Sequence, residues 1–465
     1  MSNKSVFGVF GLGVMGSSLS MNIADKGFAL SVYNRAEGSE KEVVKNFMEA
    51  NAHRENLQGF TDLKAFIASI ERPRKILMMI KAGPVVDLVL KNLIPLLSKG
   101  DIIIDGGNSH YLNTKKRFEF SRDHGIEYIG AGVSGGEEGA RRGPSIMPGG
   151  SGESYAKVSE VLEAIAAKDD FGKTCCAYIG PDGSGHFIKM VHNGIEYVEM
   201  QLLAELYGLM RGEMSNSDIA NAFEAWNKDE LSSYLLGITT EILRKKEGES
   251  YLLDLILDKA GNKGTGSWSS KAAFDLGIPN TMMSEAVFAR YISSFKESRE
   301  KFSGLVEIKK TAKDPLDLNQ LKNAYQFARI INHQQGFKLM EMASDTYHWS
   351  LNFAEIARIW SNGCIIKSQL MNRLHGYFKK DTDLFYMNDL TQFLIEGENS
   401  VKQLLEYGLG QRVSLHCFSA SYYYWIDMTT KNLPANLIQA QRDFFGAHTY
   451  QRVDKSSEDY YHTQW

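Results

Sequence analysis

Short apolar runs alternate with helical stretches over the first 180 residues of the chain. The runs are rich in β-branched and aliphatic residues and lie at 5–11, 28–33, 75–80, 101–105, 126–133 and 175–179. This alternation is typical of βαβ units, in which helices cover both faces of a parallel sheet. The N-terminal part is therefore predicted to form a doubly wound, mainly parallel sheet of the Rossmann-like α/β class.

The pattern changes after Gly185, where apolar residues recur at helical spacing and strand-like runs become rare. Long helical segments are predicted at 185–212, 217–246 and 318–345. Pro181, Gly183 and Gly185 interrupt the chain at the change. We therefore predict a dinucleotide-binding domain at 1–181 and a large all-α domain at 182–432.

The helical pattern fades from about Leu433, but aromatic residues continue to the end of the chain. The tail at 433–465 contains Phe444, Phe445, Tyr450, Tyr460, Tyr461 and Trp465. Solvated tails rarely carry so many aromatic rings. We therefore expect this C-terminal tail to be docked on a protein surface.

Length and composition restrict the class of protein. With 465 residues the chain exceeds the roughly 250–300 residues at which single cores stop growing. A hydrophobic share of 43% and a charged share of 23% are typical of globular proteins, and a net charge of -4 provides no broad basic surface for nucleic acid. No segment reaches the roughly 18 apolar residues of a membrane span, and no signal precedes the first strand-like run. We expect a cytoplasmic protein that binds neither nucleic acid nor membrane.

The four cysteines show neither the spacing of a disulfide framework nor that of a zinc site. They are Cys175, Cys176, Cys364 and Cys417, and we expect them to be small core residues. Because no cluster of metal ligands is evident either, no metal is predicted.

A glycine motif follows the first strand-like run and precedes a helix-like segment at 17–25. It consists of Gly11, Leu12, Gly13, Val14, Met15 and Gly16. In a dinucleotide-binding turn the first glycine permits the tight turn, the second admits a pyrophosphate, and the third lets the helix pack on the strand. The N-terminus of the helix then faces the phosphates. An incidental glycine turn is the alternative, which the strand–turn–helix context disfavours.

The end of the second strand indicates which dinucleotide binds. Asn34, Arg35 and Ala36 stand where an NAD-specific site usually has Asp or Glu for the ribose hydroxyls. A guanidinium there can pair with a 2′-phosphate through two hydrogen bonds, and no acidic residue takes its place. This favours NADP, although Arg35 could also be a solvated arginine on a loop.

One helix, predicted over 187–210, carries a polar face near its start. The face consists of Lys189, His192, Asn193, Glu196 and Tyr197, which fall within an arc of about 140° at 100° per residue. A solvated stripe is the common interpretation, but Val191, Ile195 and Val198 on the other faces indicate burial all round. Burial moves the pKa values of lysine and glutamate toward neutrality, which suits general acid and base catalysis.

Several motifs together resemble the 6-phosphogluconate dehydrogenase family. They are DGGNS at 105–109, VSGGEEGAR at 133–141, KMVHNGIEY at 189–197, GNKGTG at 261–266, FARY at 288–291 and RDFFGAHT at 442–449. One such motif could be accidental, but the set follows the family's order and approximate spacing over nearly the whole chain.

The resemblance implies roles for individual residues. Lys189 would be the general base and Glu196 the acid, with His192 and Asn193 assisting. The substrate would contact Asn108, Ser134, Gly135, Gly136, Tyr197, Lys263, Thr265 and Arg290, with Arg442 and His448 from the tail. The cofactor would contact Gly11, Leu12, Gly13, Val14, Met15, Gly16, Asn34, Arg35, Ala36, Lys81 and Asn108.

Some of these assignments depend on the resemblance alone. Read without it, Lys263 and Thr265 lie in a glycine-rich loop whose amides can face an anion, each arginine would more commonly form a surface ion pair, and His448 would be structural. The chain also departs from the family at Ala36, where NADP-using relatives commonly have Thr or Ser. A hydroxyl contact to the 2′-phosphate is thereby lost.

The implied activity is the NADP-dependent oxidation of 6-phospho-D-gluconate at C3, followed by loss of C1 as CO2 to give ribulose 5-phosphate. The resemblance further implies that the all-α domain binds substrate and forms a homodimer, with the tail of each subunit docked on its partner. Two alternatives are an enzyme of the shorter 3-hydroxyisobutyrate dehydrogenase kind and an NADPH-sensing protein without catalysis. Chain length disfavours the first, and Lys189 with Glu196 disfavours the second.

Overall fold

The structure is a computed structural model that describes residues 4–261, 264–307, 309–311 and 317–465. Its N-terminal part is built on one seven-stranded sheet. Its strands are β1 (Phe7–Phe10), β2 (Leu30–Tyr33), β3 (Leu57–Phe60), β4 (Lys75–Met78), β5 (Ile102–Asp105), β6 (Glu127–Ser134) and β7 (Ser145–Gly150). They lie in the order β3-β2-β1-β4-β5-β6-β7, with β7 alone antiparallel to its neighbour.

Helices cover both faces of this sheet, as predicted. They are α1 (Val14–Asp25), α2 (Val43–Ala50), α3 (Leu63–Ala68), α4 (Pro84–Leu93), α5 (Tyr111–Asp123), α6 (Gly136–Arg142) and α7 (Gly152–Ile165). Leu19 and Ile23 of α1 pack in a core on one face, whereas Phe66 and Val86 pack in a core on the other. The central strands are apolar on both sides because both sides are covered.

The strand predictions need two corrections. Residues 175–179 do not form a strand, since this segment makes only single bridges from Cys176 and Gly180 to β7. Strands β3 and β7 were not predicted. Pro148 and two glycines give β7 a poor strand sequence, and β3 is a partly exposed edge strand, so neither has the apolar run of a central strand.

In the second part, the described residues form helices and one short hairpin of β8 (Lys246–Glu247) and β9 (Ser250–Tyr251). Its helices are α8 (Ser184–Met210), α9 (Asn216–Trp226), α10 (Tyr234–Arg244), α11 (Leu252–Leu255), α12 (Thr265–Leu276), α13 (Thr281–Ser294), α14 (Lys296–Ser303), α15 (Leu318–Tyr347), α16 (Phe353–Ile359), α17 (Gln369–Tyr377), α18 (Asn388–Gln411) and α19 (His416–Thr429). The segment predicted as helical over 217–246 is divided into α9 and α10. Asn227 accepts the backbone N–H of Ser233 at 2.8 Å, and Ser233 then caps α10. None of the helices in the described part of the chain combines the length and the hydrophobicity of a membrane-spanning segment.

Helix α8 lies directly on the sheet. A Cβ at Gly185 would meet the carbonyl oxygens of Met147 and Gly130 at 2.3 and 2.4 Å. A Cβ at Gly132 would meet the Cβ of Lys189 at 2.4 Å. The small residues of β6 and α8 therefore let the helix approach closely, which places its polar face at the carboxyl end of the sheet.

The C-terminal tail contains α20 (Ala435–Gly446), although its sequence pattern predicts no helix. Asp443 is buried and accepts four hydrogen bonds at 2.9–3.0 Å, from the backbone N–H groups of Thr449 and Thr463 and from the side chains of His462 and Trp465. The tail is thus folded around one carboxylate. Within a single chain the rings of Phe444, Phe445, Tyr460 and Trp465 remain exposed.

Candidate active site

The glycine motif forms a tight turn between β1 and α1. Gly11 has a φ of 103°, and a Cβ there would meet the carbonyl oxygen of Met79 at 2.6 Å. A Cβ at Gly16 would lie only 1.9 Å from the carbonyl oxygen of Gly11, so the helix packs on the turn. Nothing lies within 4 Å of a Cβ at Gly13, which directly precedes an α1 N-terminus without a side-chain cap. This open backbone at a helix N-terminus fits a pyrophosphate.

A cleft of ≈ 280 Å³ continues from this turn along the carboxyl ends of the central strands. It is lined by Gly13, Val14, Met15, Gly16, Met79, Ile80, Gly106, Gly107, Asn108 and Val133. Strands β1 and β4 are neighbours in the sheet, and the strand order reverses between them. Sheets of the α/β class bind ligands at such switch points. Lys81 lies exposed one residue beyond Ile80.

At the far end of β2, the structure shows an acidic residue that sequence reasoning missed. Arg35 is paired with Glu40, with Nη2 to Oε1 at 2.7 Å and Nε to Oε2 at 3.1 Å. Asn34 donates to Glu40 as well and accepts the backbone N–H of Leu12 at 3.0 Å. Ala36 is exposed. No acidic residue takes the place of Arg35 at the end of β2, but Glu40 from the following loop pairs with it.

The polar side chains of α8 are largely buried, and they contact one another and the end of β6. Lys189 Nζ donates to Asn193 Oδ1 at 2.8 Å and lies 3.3 Å from His192 Nδ1. On its other side, His192 Nε2 lies 3.1 Å from Ser134 Oγ at the end of β6. Glu196 Oε2 is 3.7 Å from His192 Nδ1. A solvated stripe is excluded for this helix, because Lys189, His192 and Asn193 are buried.

Burial shifts the pKa values of this group in the directions that acid and base catalysis needs. It lowers the pKa of Lys189, an effect that Glu196 partly opposes. It raises the pKa of Glu196, against the opposing charges of Lys189 and Arg290. Burial and the neighbouring Lys189 hold the pKa of His192 well below its ordinary value, so that the imidazole is neutral.

A buried network supports the loop that carries Asn108. Asp105 ends β5 and accepts hydrogen bonds from Ser109 at 2.7 Å, from Tyr128 at 2.9 Å and from the backbone of Gly107 at 3.1 Å. Arg117 also donates to Ser109. These contacts fix the turn, and Asn108 then lines both the cofactor cleft and a smaller cavity beside Lys189. It is the residue that joins the two sites.

The smaller cavity also contains side chains that sequence reasoning missed. His186 and Trp268 line it together with Lys189 and Asn193. Trp268 lies four residues after Gly264 on α12, close to the glycine-rich motif, which was the available signal. His186 had no signal, because its position depends on how α8 meets β6.

The remaining substrate-binding candidates lie in two places near the polar face. Ser134 ends β6, and Gly135 and Gly136 follow with φ values of 117° and 64° at the start of α6. Arg290 of α13 stacks on Tyr197 with its guanidinium 3.5 Å from the ring centre. A Cβ at Gly266 would also meet that ring at 2.4 Å, so the beginning of α12 lies against it.

Two other candidates are located less completely. Lys263 lies outside the residues that the structure describes. Thr265 begins α12, which places its backbone beside Tyr197 through Gly266.

Arg442 and His448 are held by the tail itself. Arg442 Nη1 donates to Gln439 Oε1 at 3.0 Å within α20, and His448 packs edge-on to Phe445. Both side chains are exposed. Within one chain, therefore, the tail presents these residues on its own surface.

Other expectations concern cysteines and metals. All four cysteines are buried and unpaired, as expected for core residues. Within the described part of the chain, no group of three or more His, Cys, Asp or Glu residues could hold a metal ion.

Comparisons with known proteins agree over the whole length. Residues 6–180 match the family model of the NAD binding domain of 6-phosphogluconate dehydrogenase, and residues 185–465 match that of its C-terminal domain. The NADP(+)-dependent, decarboxylating 6-phosphogluconate dehydrogenase of Bacillus subtilis is 44% identical over 100% of this chain and 99% of its own. The decarboxylating enzyme of Lactococcus lactis is 43% identical over 99% of this chain and 98% of its own.

A solved structure agrees as well. The 6-phosphogluconate dehydrogenase of Plasmodium falciparum, studied in its apo form and in complex with its cofactor NADP+ and its substrate 6-phosphogluconate, has a TM-score of 0.93 to this chain. It is 41% identical and covers 99% of this chain and 100% of its own.

Proposed function

The chain belongs to the 6-phosphogluconate dehydrogenase family, and on that premise we propose that it oxidises and decarboxylates 6-phospho-D-gluconate to D-ribulose 5-phosphate and CO2 with NADP. The observation that carries the proposal is the position of Lys189. This buried lysine faces a cavity that shares Asn108 with the cofactor cleft. A substrate held there has its reacting carbon between a base and the cofactor.

The first step removes a hydride from C3 of the substrate and a proton from the hydroxyl group on C3. NADP, when bound, supplies the nicotinamide ring that accepts the hydride. Lys189 takes the proton of the C3 hydroxyl, for which it must be neutral, and its lowered pKa favours that state. Asn193 and His192 hold the amine in place through their contacts at 2.8 and 3.3 Å.

The second step breaks the bond between C1 and C2. The Lys189 ammonium formed in the first step donates to the 3-keto oxygen, which draws in the electron pair released as C1 leaves as CO2. Glu196, whose pKa is raised, is protonated and delivers its proton to the enediol carbon that was C2 of the substrate. Lys189 takes back the proton of the neighbouring enediol hydroxyl, so that the carbonyl re-forms. The product is ribulose 5-phosphate, and the proton balance between Lys189 and Glu196 is restored through the neighbouring His192.

Substrate recognition combines contacts from both domains. Arg290 stacked on Tyr197 presents the fork of its guanidinium to a phosphate, and the α12 N-terminus beside it adds backbone donors. We assign Lys263 and Thr265 to the same phosphate. Ser134, Gly135 and Gly136 would face the sugar from the other side, at the start of α6.

We further propose that the protein is a cytoplasmic homodimer in which each tail docks on the partner subunit and contributes Arg442 and His448 to its site. The exposed face of α20, with Leu437, Phe444, Phe445 and Trp465, is too apolar to be left in water. Four unpaired cysteines are typical of a reducing compartment.

The assay uses purified protein with 6-phosphogluconate and NADP, and follows both the absorbance of reduced nicotinamide and the release of CO2. We expect the two products in equal amounts, and neither from Lys189→Ala. Nicotinamide reduction without CO2 would indicate a simple hydroxy-acid dehydrogenase. NADPH binding without any turnover would indicate a sensor.

A further inference from the structure

The loop after β2 places an acid on the arginine that is assigned to the cofactor. Glu40 ends a short 3-10 helix, Gly38–Glu40, and its two carboxylate oxygens accept from Nη2 and Nε of Arg35 at 2.7 and 3.1 Å. One complete edge of the guanidinium is thereby occupied. This is the edge-on, two-bond geometry with which arginine also binds phosphate.

Glu40 is also connected to the glycine motif. Asn34 Nδ2 donates to Glu40 Oε2 at 2.9 Å, while Asn34 Oδ1 accepts the backbone N–H of Leu12 at 3.0 Å. The carboxylate therefore has a fixed position relative to the turn that meets the pyrophosphate. It is held next to the place where the adenosine ribose of a dinucleotide lies in this fold.

We propose that Glu40 is a specificity-determining residue. It lowers the affinity for NADP relative to NAD, because its carboxylate competes with the 2′-phosphate for Arg35. The proposal rests on the assignment of Arg35 to the 2′-phosphate under the proposed function. A phosphate and a carboxylate cannot use the same two N–H groups at once, and two anions so close repel each other. NAD, which has a ribose hydroxyl there, does not need Glu40 to move.

The exchange is feasible because the ion pair is exposed. Arg35 and Glu40 side chains are 62% and 37% exposed, and such pairs contribute little to stability. A doubly charged phosphate can therefore replace the carboxylate, but its net gain is smaller than that on a free arginine. With Ala36 unable to supply a hydroxyl, the phosphate has no compensating contact from the next residue.

Glu40 could also have the opposite effect on cofactor preference, and the two effects can be separated by experiment. If the phosphate used the other edge of the guanidinium, Glu40 would hold Arg35 in position and would favour NADP. Glu40→Gln separates the two roles, because the amide oxygen can still accept from Asn34 while the negative charge is gone. Glu37→Gln is the matched control. It removes one negative charge from the same loop, but the carboxylate that accepts the hydrogen bonds of Arg35 is that of Glu40 and not that of Glu37.

The measurement is calorimetric titration of the free protein with NADP and with NAD, together with kcat/KM for both. We expect Glu40→Gln to raise the NADP to NAD ratio roughly three- to tenfold, with less than about a twofold change for Glu37→Gln. An unchanged or lowered ratio in Glu40→Gln would overturn the proposal. An equal effect of Glu40→Gln and Glu37→Gln would also overturn it, because the ratio would then depend on the net charge of the loop and not on competition for Arg35.

A second pair of variants tests whether Glu40 acts through Arg35. Arg35→Ala should weaken NADP binding roughly ten- to a hundredfold, and Glu40→Gln should then add nothing in the Arg35→Ala background. Persistence of the Glu40 effect without Arg35 contradicts the competition, as does an Arg35→Ala variant that binds NADP normally. The calorimetric affinities do not depend on turnover, so failure of the activity assay leaves this test intact.

Discussion

At the scale of single residues, the site depends on two groups whose pKa values are moved toward each other by the same cause. Burial lowers the pKa of Lys189 and raises that of Glu196, seven residues later on the same helix. Each also stabilises the charged form of the other, which limits the shifts. The consequence is that a neutral amine and a protonated carboxyl can coexist in one site, as a proton relay requires.

The pH dependence of kcat/KM follows from these directions. Activity should fall on the acid side as Lys189 gains a proton, and on the alkaline side as Glu196 loses one. Glu196→Gln cannot donate to the enediol, so we expect turnover to drop roughly a hundred- to ten-thousandfold and the alkaline decrease to disappear. Initial rates over a range of pH measure both effects.

Lys91→Ala, which removes an exposed lysine from α4, is the matched control for Lys189→Ala and should leave the pH profile unchanged. Lys189→Ala should abolish turnover while NADP binding persists. A Glu196→Gln enzyme with nearly normal turnover, or with its alkaline decrease intact, would show that Glu196 is not the acid.

At the scale of elements, a buried carboxylate joins two helices away from the site. Glu205 of α8 accepts the backbone N–H groups of Cys417 and Phe418 at 2.9 and 3.2 Å, at the start of α19. Gln201 donates to the same carboxylate, and His416 lies nearby. Burial outweighs these contacts and raises the pKa of Glu205 to about 7.

This shift predicts a pH-dependent stability. Because the folded pKa of about 7 exceeds the ordinary glutamate pKa of 4.5, the stabilising contribution of protonated Glu205 is complete below pH 4.5 and is lost as pH rises through 7. The contribution amounts to about 3 kcal/mol at most. We therefore expect the stability of the protein relative to Glu205→Gln to decrease between pH 5 and about 7.

Thermal unfolding across this range, with each variant compared at equal protein concentration, measures the difference. Glu160→Gln, which changes an exposed glutamate on α7, is the control and should follow the unmodified protein at every pH. A constant difference between the protein and Glu205→Gln would mean that Glu205 has the same proton occupancy in the folded and unfolded states.

Elements with strong local patterns could be predicted from the sequence, and those that depend on their neighbours could not. The apolar run of β5 and the helical period of α8 are properties of the segments themselves. Strand β7, by contrast, pairs along β6 in spite of Pro148 and two glycines, so its structure comes from its partner. The apolar side chains of α20 are not buried within its own chain, so its sequence does not show the regular apolar spacing of a core helix.

The same distinction applies to the site. Lys189, His192, Asn193 and Glu196 could be grouped from helical spacing alone, because one helix carries them all. Glu40 could not, since its contact with Arg35 depends on how the loop after β2 turns back. His186 and Trp268 meet only through the packing of α8 against the sheet and α12.

At the scale of the whole molecule, the single chain exposes apolar surface on several helices at once. Phe288 and Phe295 are exposed on and just after α13, and Tyr423 lines a large groove with the start of α19. The tail exposes Phe444 and Phe445. Since an isolated soluble protein rarely leaves so much apolar surface uncovered, these faces are suited to cover one another in a dimer.

The Asp443 hydrogen bonds bear on how the tail would dock. Within one chain, the tail joins α20 to its last residues through this carboxylate. It would therefore bind as a preformed unit, which reduces the ordering cost of association. Arg442 and His448 would enter the partner's site with their spacing already set.

Mixed dimers test this arrangement directly. Lys189→Ala and Arg442→Ala should each be inactive alone, and the two are unfolded and refolded together. Random pairing gives about half mixed dimers, in which one site combines both defects and the other has Lys189 and Arg442 intact. Recovery of roughly a quarter of normal activity is therefore expected. If each tail instead served its own chain, no pairing could assemble an intact site, so inactive mixtures in which mass measurement shows mixed dimers would disprove the exchange.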